Sequence, residues 1–223
     1  MSGRPGLVIA IDGPAAAGKG TLARRLAAAL GLAHLDTGLL YRVVARRVLD
    51  QGGTPADPAA AAAAAASLRA EDLERPDLRT PEVDAASSEV AAIPEVRSAL
   101  LAFQRRFPAA RGAVLDGRDI GTVVFPEAAV KLFVTASLAA RAERRWRELA
   151  ARGVETELAA IEAELAERDR RDASRLAAPL RPAADAIRLD TTDLDADAAF
   201  AAALSAVEAR LASARCRGPG ASI

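Results

Sequence analysis

Short apolar runs alternate along the chain with longer segments in which apolar residues recur every three or four positions. The runs have the length and β-branched content of strands, and the longer segments have the period of amphipathic helices. The predicted strands cover 7–12, 33–35, 113–116, 130–134 and 186–189. The predicted helices cover 20–30, 39–50, 59–66, 82–92, 95–106, 137–152, 155–171 and 195–213. This alternation predicts an α/β fold, with a parallel sheet between helices and a ligand site at the carboxyl ends of its strands.

The segments between these elements carry turn and cap signals. Residues 51–58 contain two glycines and two prolines and are predicted to form a linker, and 71–81 a loop. Ser137 is a predicted N-cap, and Gly153 is predicted to end the same helix. The tail 215–223 is predicted to be disordered. Helical spacing predicts three buried residues in the segment 155–171: Leu158, Ile161 and Leu165.

A glycine-rich segment joins the first predicted strand to the first predicted helix. It reads Gly13-x-x-x-x-Gly18-Lys19-Gly20-Thr21, which in this context predicts a P-loop. Glycines let successive backbone N–H groups face a polyphosphate, and the helix N-terminus adds partial positive charge. Lys19 would contact the terminal phosphates. Because the hydroxyl follows at Thr21 rather than at position 20, Thr21 is predicted to reach a magnesium ion directly or through water.

Composition narrows the functional classes. The formal net charge of zero argues against a broad nucleic-acid-binding or membrane-binding face. Only two of the 30 basic residues are lysines, Lys19 and Lys131, so a lysine in the P-loop indicates a chemical requirement for a compact ammonium group. One histidine and one cysteine, Cys216, offer no metal-ligand cluster and no internal disulfide. We see no secretion signal or membrane-length apolar run and expect a reducing, cytoplasmic setting.

A second polar cluster, Asp36-Thr37-Gly38 with Arg42, follows the second predicted strand. Thr37 could hydrogen-bond a ligand, and Arg42 could hold a phosphate with two parallel hydrogen bonds. The same residue types form ordinary helix N-caps, so the pattern alone leaves both interpretations open.

A third cluster follows the strand 113–116. Asp116 at a strand end is typical of the acidic partner of a P-loop, which holds magnesium, usually through water. Arg118 and Asp119 come directly after it, and two carboxylates and an arginine within four residues are dense for a simple turn.

Two later helices are rich in arginine. The spacing i, i+3, i+4 places three arginines on one face: Arg141, Arg144 and Arg145. The spacing i, i+4, i+7 also places Arg168, Asp172 and Arg175 on one helix face. Two cationic faces on either side of Gly153 suit a lid that closes over phosphates. Interleaved acidic residues instead favour surface ion pairs for Arg147, Arg152 and Arg170.

Together these motifs closely resemble those of bacterial cytidylate kinases, within the P-loop nucleoside monophosphate kinases. The resemblance covers about residues 7–210 and rests on four segments: Ile11–Thr21, Leu35–Arg42, Asp116–Pro126 and Arg168–Arg175. The family's reaction is transfer of the γ-phosphate of ATP to CMP or dCMP with Mg²⁺. One departure is that residues 51–82 are short and alanine-rich with almost no strand pattern, where bacterial members usually carry a small β-sheet insertion.

The resemblance implies a role for each matching residue. The ATP phosphates would be held by the loop Gly13, Pro14, Ala15, Ala16, Ala17, Gly18, Lys19, Gly20 and Thr21. CMP would be bound by Thr37, Arg42, Ser88, Arg97, Arg118, Asp119, Arg168, Asp172 and Arg175. Within that set, Ser88, Arg97 and Asp119 would contact the cytosine edge. The catalytic cations would be Lys19, Arg118, Arg141, Arg145 and Arg175, with Arg141 and Arg145 acting from the lid. Thr21 and Asp116 would hold Mg²⁺ through water, and 190–194 would lie near adenine.

The same resemblance implies a domain organisation. Residues 1–50 and 97–214 would form the core, 51–96 a shortened acceptor-binding insertion, and about 145–172 the lid. Besides ATP and CMP or dCMP we expect no obligate partner, and we expect a monomer.

Two other functions fit the P-loop. One is a kinase for a different small acceptor. The other is a nucleotide switch without turnover, although the chain contains no asparagine and so no Asn-Lys-x-Asp base-reading motif.

Overall fold

The structure is a computed structural model that describes residues 6–109 and 111–216, without the side chains of 109 and 214–216. Within these ranges five parallel strands form one sheet: β1 (Val8–Asp12), β2 (Ala33–Asp36), β3 (Ala113–Gly117), β4 (Val130–Thr135) and β5 (Ile187–Asp190). Their order is β2-β3-β1-β4-β5, and every pair is parallel. The predicted α/β fold with a five-stranded parallel sheet is therefore confirmed. The strand β1 is buried along its whole length, as its continuous apolar sequence requires.

In the part of the chain that the structure describes, eight α-helices connect and cover the strands. They are α1 (Lys19–Leu30), α2 (Thr37–Asp50), α3 (Pro58–Ala66), α4 (Pro81–Val90), α5 (Pro94–Arg106), α6 (Leu138–Ala150), α7 (Leu158–Ser174) and α8 (Ala196–Cys216). The chain passes from β1 to β2 on one side and later to β4 on the other, so the crevice between the ends of β1 and β3 is a topological switch point.

Two apolar clusters cover the faces of the sheet. On one face, Ile9 and Ile11 pack with Leu26 of α1 and Val207 of α8. On the other, Ala10 and Leu115 pack with Leu35 and Ile120. The sheet is thus held rigidly from both faces, and its carboxyl edge is left for polar residues.

The predicted insertion packs into a third apolar cluster, which it shares with α2 and α5. Leu40 and Val44 of α2 pack against Ala61 and Ala64 of α3, together with buried residues of α4 and α5. Small alanine side chains let α3 approach its neighbours closely. The described residues between 51 and 96 include an alanine-rich helix and no strand, in agreement with the predicted departure from the family's β-sheet insertion.

Several local predictions need correction. The loop predicted over 71–81 is instead two 3₁₀ turns, Ala70–Glu74 and Pro76–Arg79, which precede the start of α4. Leu158 is exposed at the start of α7, whereas Ile161 and Leu165 are buried as predicted. A π-helical turn, Ile120–Val124, follows β3 and has no signal in the hydrophobic pattern.

Other details of the prediction are confirmed. Ser137 caps α6 by accepting a hydrogen bond from the Ala140 N–H, and Gly153 has the positive φ of 73° that follows a helix end. Of the tail predicted to be disordered, residues 215 and 216 end α8, and 217–223 lie outside the described residues. Within the described ranges, no helix has both the length and the hydropathy to cross a bilayer.

Candidate active site

The loop between β1 and α1 has the backbone that its glycines predict. A Cβ on Gly13 would lie 2.0 Å from the carbonyl oxygen of Val134, so no larger residue fits there. Gly18 has a φ of 85° directly before α1, a left-handed conformation that glycine adopts without strain. The loop therefore passes close to β4 and delivers the chain to the N-terminus of α1 at the edge of the cleft.

Lys19 is buried at the first position of α1, with 5% of its surface exposed. Its ammonium group donates a hydrogen bond to the carbonyl of Pro14 across 2.6 Å. Burial, and then the nearby Arg118 guanidinium, lower the pKa of Lys19 to about 7. The P-loop lysine thus lies in a site that is short of negative charge, where an added anion would stabilise its charged form.

Asp12, the last residue of β1, connects the P-loop strand to the segment after β3. Its two carboxylate oxygens accept hydrogen bonds from the backbone N–H groups of Ile120 and Gly121, both at 2.7 Å. Burial raises the pKa of Asp12 to about 6, and these two hydrogen bonds act in the opposite direction. This aspartate fixes the π-helical turn beside Asp119, and the sequence analysis assigned it no role.

Asp116 lies at the end of β3, beside the N-terminus of α1. One of its oxygens, Oδ1, is 2.8 Å from Nε2 of His34, while Oδ2 lies 3.7 Å from where a Cβ on Gly20 would be. Burial raises the pKa of Asp116, and the contact with His34 opposes that rise. The carboxylate therefore faces the P-loop with one oxygen directed away from its histidine partner.

Thr37 supports Asp116 from the start of α2. Its hydroxyl donates a hydrogen bond of 2.8 Å to the backbone carbonyl of Asp116. Of the helix-cap alternative, Asp36 occupies the N-cap position of α2 without a side-chain cap bond, and Thr37 is the first residue of the helix.

A cleft of about 730 Å³ lies in front of this edge of the sheet. The P-loop, Asp116 and several arginines line it together. The predicted site residues among its lining are Ala15, Ala16, Gly18, Lys19, Gly20, Thr21, Arg42, Asp116, Arg118, Arg145 and Arg168. Cations from α1, α2, α6, α7 and the end of β3 thus converge on one space.

Asp84 of α4 accepts hydrogen bonds from three arginines at this cleft. Arg42 and Arg145 each bind one carboxylate oxygen, and Arg168 lies 3.4 Å from Oδ1. Burial alone would raise the pKa of Asp84, but the three guanidinium groups outweigh it and hold the pKa below its usual value. No local pattern in the sequence singles out Asp84.

A second, smaller cavity opens beside the cleft and gathers most of the predicted acceptor-binding residues. Eight of them line it: Thr37, Ser88, Arg97, Arg118, Asp119, Arg168, Asp172 and Arg175. Arg118 and Arg168 line both spaces, so the cavity and the cleft meet at these two side chains. The ninth predicted residue, Arg42, lines the cleft alone.

Ion pairs organise the walls of this cavity. Arg97 donates a hydrogen bond to Asp119, and Arg118 and Arg175 both bind Asp172. Burial would raise the pKa of Asp172, but Arg118 and Arg175 more than offset it and the pKa is lowered. Burying these charged groups costs desolvation free energy, which their ion pairs partly offset.

Polar atoms without partners also face this region. The buried hydroxyl of Ser88 and the Nε atoms of Arg168 and Arg175 form no hydrogen bond with any described residue. Buried polar groups are normally paired, so these atoms mark places where a polar ligand would be accommodated.

The three arginines that helical spacing placed on one face of α6 have different partners. Arg145 reaches Asp84, and Arg144 donates a 3.1 Å hydrogen bond to the hydroxyl of Thr191. Arg141 is buried, forms two hydrogen bonds with Asp169 of α7, and donates a third to the Ala15 carbonyl. Arg141 therefore joins the P-loop to α7. The surface pairs predicted for Arg147, Arg152 and Arg170 are confirmed.

A third cavity, of about 470 Å³, lies on the other side of the P-loop. Gly18 and Thr21 line it together with Arg144, Thr191 and Leu194. Backbone carbonyls of the segment 190–194 accept hydrogen bonds from Arg144 at this cavity.

Asp12, His34 and Asp84 lie at the site but had no role predicted from the sequence, and a sequence signal exists for the first two. Asp12 ends a buried strand next to the P-loop, which is where α/β proteins place functional side chains. His34 is the single histidine of the sequence and lies in the predicted strand 33–35. Asp84 had no comparable signal, because its arginine partners come from distant parts of the chain.

Comparison with known proteins agrees with these observations. The family model for cytidylate kinase matches residues 9–209. A cytidylate kinase from Acidiphilium cryptum is 66% identical over 206 residues, covering 92% of this chain and 97% of that protein. A cytidylate kinase from Granulibacter bethesdensis is 66% identical over 194 residues, covering 87% and 93%.

Solved structures with a similar backbone are more distant in sequence. A gluconokinase from Sinorhizobium meliloti superposes with a TM-score of 0.54 at 15% identity, covering 97% of this chain and 99% of that one. At this identity the likeness concerns the fold alone. The matched residues span the P-loop, both arginine-lined spaces and the helices α6 and α7, and the chain belongs to the cytidylate kinase family.

Proposed function

We propose that this enzyme transfers the γ-phosphate of ATP to CMP or dCMP, giving CDP or dCDP, in a ternary complex. The observation that carries the proposal is that Arg118 and Arg168 line both the P-loop cleft and the smaller cavity. A phosphate donor in the first and a nucleotide acceptor in the second would meet at these two cations.

The ATP side of the proposal rests on the P-loop. Gly13–Thr21 would bind the phosphates through backbone N–H groups, and Lys19 would contact the terminal phosphates. The lowered pKa of Lys19 supports this role, because a polyphosphate would supply the negative charge that the buried ammonium lacks. The adenine would occupy the cavity lined by Arg144 and Thr191.

Mg²⁺ would be held mainly by the ATP phosphates. Among the described residues, no group of three or more His, Cys, Asp or Glu side chains could hold a metal ion by itself. Thr21 and Asp116 line the same cleft, and a buried carboxylate facing the P-loop fits a magnesium ion bound through water. When bound, the ion would neutralise charge on the transferring phosphate.

The acceptor phosphate would be bound by Arg42, Arg118 and Arg168, with Asp172 and Arg175 near the sugar. Cytosine presents an amino donor next to ring nitrogen and oxygen acceptors. Asp119 could accept from the amino group while Arg97 and the unpartnered Ser88 hydroxyl donate to the acceptors. Uracil would leave a buried group unpaired, which costs about 1–3 kcal/mol.

The chain's own contribution to catalysis would be alignment and charge neutralisation. The acceptor is already a phosphate anion, so no general base is needed and no covalent enzyme intermediate forms. Lys19, Arg118, Arg145 and Arg175 would stabilise charge as the phosphoryl group moves in line between the two oxygens. Arg141 was predicted from the sequence to be a catalytic cation of the lid. It would instead hold α7 against the P-loop.

The remaining assignments concern organisation. We assign 1–50 and 97–214 to the core, 51–96 to acceptor binding and 145–172 to the lid. The insertion packs through α3 and α4 into an apolar cluster that it shares with α2 and α5 of the flanking core segments. The cluster of α6 and α7 around Ile161 supports the assignment of a lid. The enzyme would act as a cytoplasmic monomer without an obligate protein partner. Its zero net charge argues against a nucleic-acid or membrane partner.

A panel of acceptors tests the reaction. ADP formation from Mg-ATP would be measured with CMP, dCMP, UMP, AMP or GMP and with no acceptor. Fast turnover confined to CMP and dCMP is the expected result. Preferred turnover with a different acceptor would reject the cytosine site while keeping the kinase, and ATP binding without turnover on any acceptor would favour a nucleotide switch.

A further inference from the structure

Asp84 joins three helices that are far apart in the chain. It belongs to α4 in the acceptor-binding segment, with 3% of its surface exposed. Its partners are Arg42 of α2, Arg145 of α6 and Arg168 of α7. Arg42 also donates a 3.0 Å hydrogen bond to the Leu78 carbonyl, so the acceptor-binding segment holds this arginine at two points.

These three arginines need a counter-ion to lie together. Like charges at a shared site repel, and the repulsion is strong where water is excluded. Arg118 lines the same cleft and adds a further positive charge to it. The Asp84 carboxylate lies between the arginines, and each of its two oxygens accepts a hydrogen bond from a guanidinium group. The three arginines are thereby fixed relative to one another in the cleft that Lys19 and Asp116 also line.

We propose that Asp84 is a positioning residue for phosphoryl transfer: its carboxylate holds Arg42, Arg145 and Arg168 in one cluster and couples the acceptor-binding segment to the lid. The inference rests on the proposed function, because it assumes that the three arginines bind phosphate groups. Asp84 itself would touch neither nucleotide.

Glu82 provides a matched control on the same helix. It lies two residues before Asp84, its side chain is 65% exposed, and it pairs with Arg46 at 3.4 Å, outside the cleft. Glu82→Gln therefore removes one carboxylate from α4 without changing the arginine cluster.

The experiment compares Asp84→Asn, Asp84→Ala and Glu82→Gln with the wild type, using the acceptor that the wild type phosphorylates. We expect Asp84→Asn to lower kcat/KM for the acceptor by about tenfold to a hundredfold, the range produced by misplaced binding groups. Glu82→Gln should match the wild type. Unchanged kcat/KM in Asp84→Asn would overturn the inference.

Chemical rescue separates a charge that positions arginines from a side chain that fills space. In Asp84→Ala, sodium formate should restore part of the lost kcat, whereas sodium chloride at the same ionic strength should not. Formate should also raise the Tm of Asp84→Ala more than that of the wild type or Glu82→Gln, a readout that needs no turnover. Absence of both formate effects would overturn the inference, and if Asp84→Ala does not fold, the kcat/KM of Asp84→Asn decides.

Failure of the proposed reaction and failure of the role of Asp84 give different results. Failure of the wild type to phosphorylate CMP would reject the proposed function, whereas the formate-dependent Tm of Asp84→Ala would still test the arginine cluster. A wild type that is active on CMP with variants that behave like it would reject only the role of Asp84.

Discussion

Arg97 of α5 donates a hydrogen bond to the carboxylate of Asp119, which lies directly after β3. Both side chains are almost completely buried at the wall of the smaller cavity. The pair fixes a donor and an acceptor side by side, as recognition of one edge of a base requires. The Arg97 guanidinium also lies 5.7 Å from the centre of the Tyr41 ring, which limits its movement.

Asp119→Ala should remove the preference for cytosine over uracil. The variant loses the acceptor for the amino group of cytosine, so the ratio of kcat/KM for CMP to that for UMP should fall by about tenfold or more. Steady-state rates with both acceptors measure the ratio. Glu127→Ala, an exposed acidic residue in the next segment, should leave it unchanged, and an unaltered ratio in Asp119→Ala would contradict the base-contact assignment.

Lys19→Met should lower kcat by about a hundredfold or more, because it removes a preorganised cation from the transferring phosphate. Lys131→Met tests whether any buried lysine has this effect. Lys131 is the second lysine of the chain and pairs with Asp185 at 2.9 Å, away from the cleft. Turnover near that of the wild type in a folded Lys19→Met protein would be incompatible with the assigned role.

The same variant should be more stable than the wild type near neutral pH. The pKa of Lys19 is lowered on folding from 10.5 to about 7, so burial of the charged form costs stability in full below pH 7. That cost declines as pH rises from 7 toward 10.5. The Tm advantage of Lys19→Met should therefore be largest at pH 6 and narrow by pH 9, and an advantage that grows over this range would show that Lys19 is not held as described.

Gly13→Ala should destabilise the protein by about 2 kcal/mol or more, since its Cβ would lie 2.0 Å from a backbone oxygen of β4. Gly52→Ala is the matched control. Gly52 also has a positive φ, of 68°, but a Cβ there would meet nothing within 4 Å, so the cost should be only about 1 kcal/mol. Urea unfolding measures both, and equal losses would mean that backbone conformation rather than close approach governs Gly13.

The elements that the sequence predicted well are those that depend on neighbouring residues. The run at β1 and the glycines at 13 and 18 specify a buried strand and a phosphate-binding loop within a few positions of each other. The π-helical turn after Asp119 depends instead on two hydrogen bonds to Asp12, more than 100 residues earlier. No local pattern contains that information.

The arginines of α6 show a second reason why some roles could not be predicted. Spacing places Arg141, Arg144 and Arg145 near one face of a helix, but their long side chains bind whichever acceptors are within reach. Those acceptors lie on α7, after β5 and on α4, respectively. Helical spacing thus predicts the face from which an arginine side chain projects. Its guanidinium group binds a partner that only the assembled fold determines.

Quantifying both products of the reaction tests the central claim most directly. The wild type would be incubated with Mg-ATP and CMP, and ADP and CDP would be measured over the same time course. We predict that the two products form in equal amounts and that no ADP forms without CMP. ADP without matching CDP would mean transfer to water or to another acceptor and would contradict the proposed reaction.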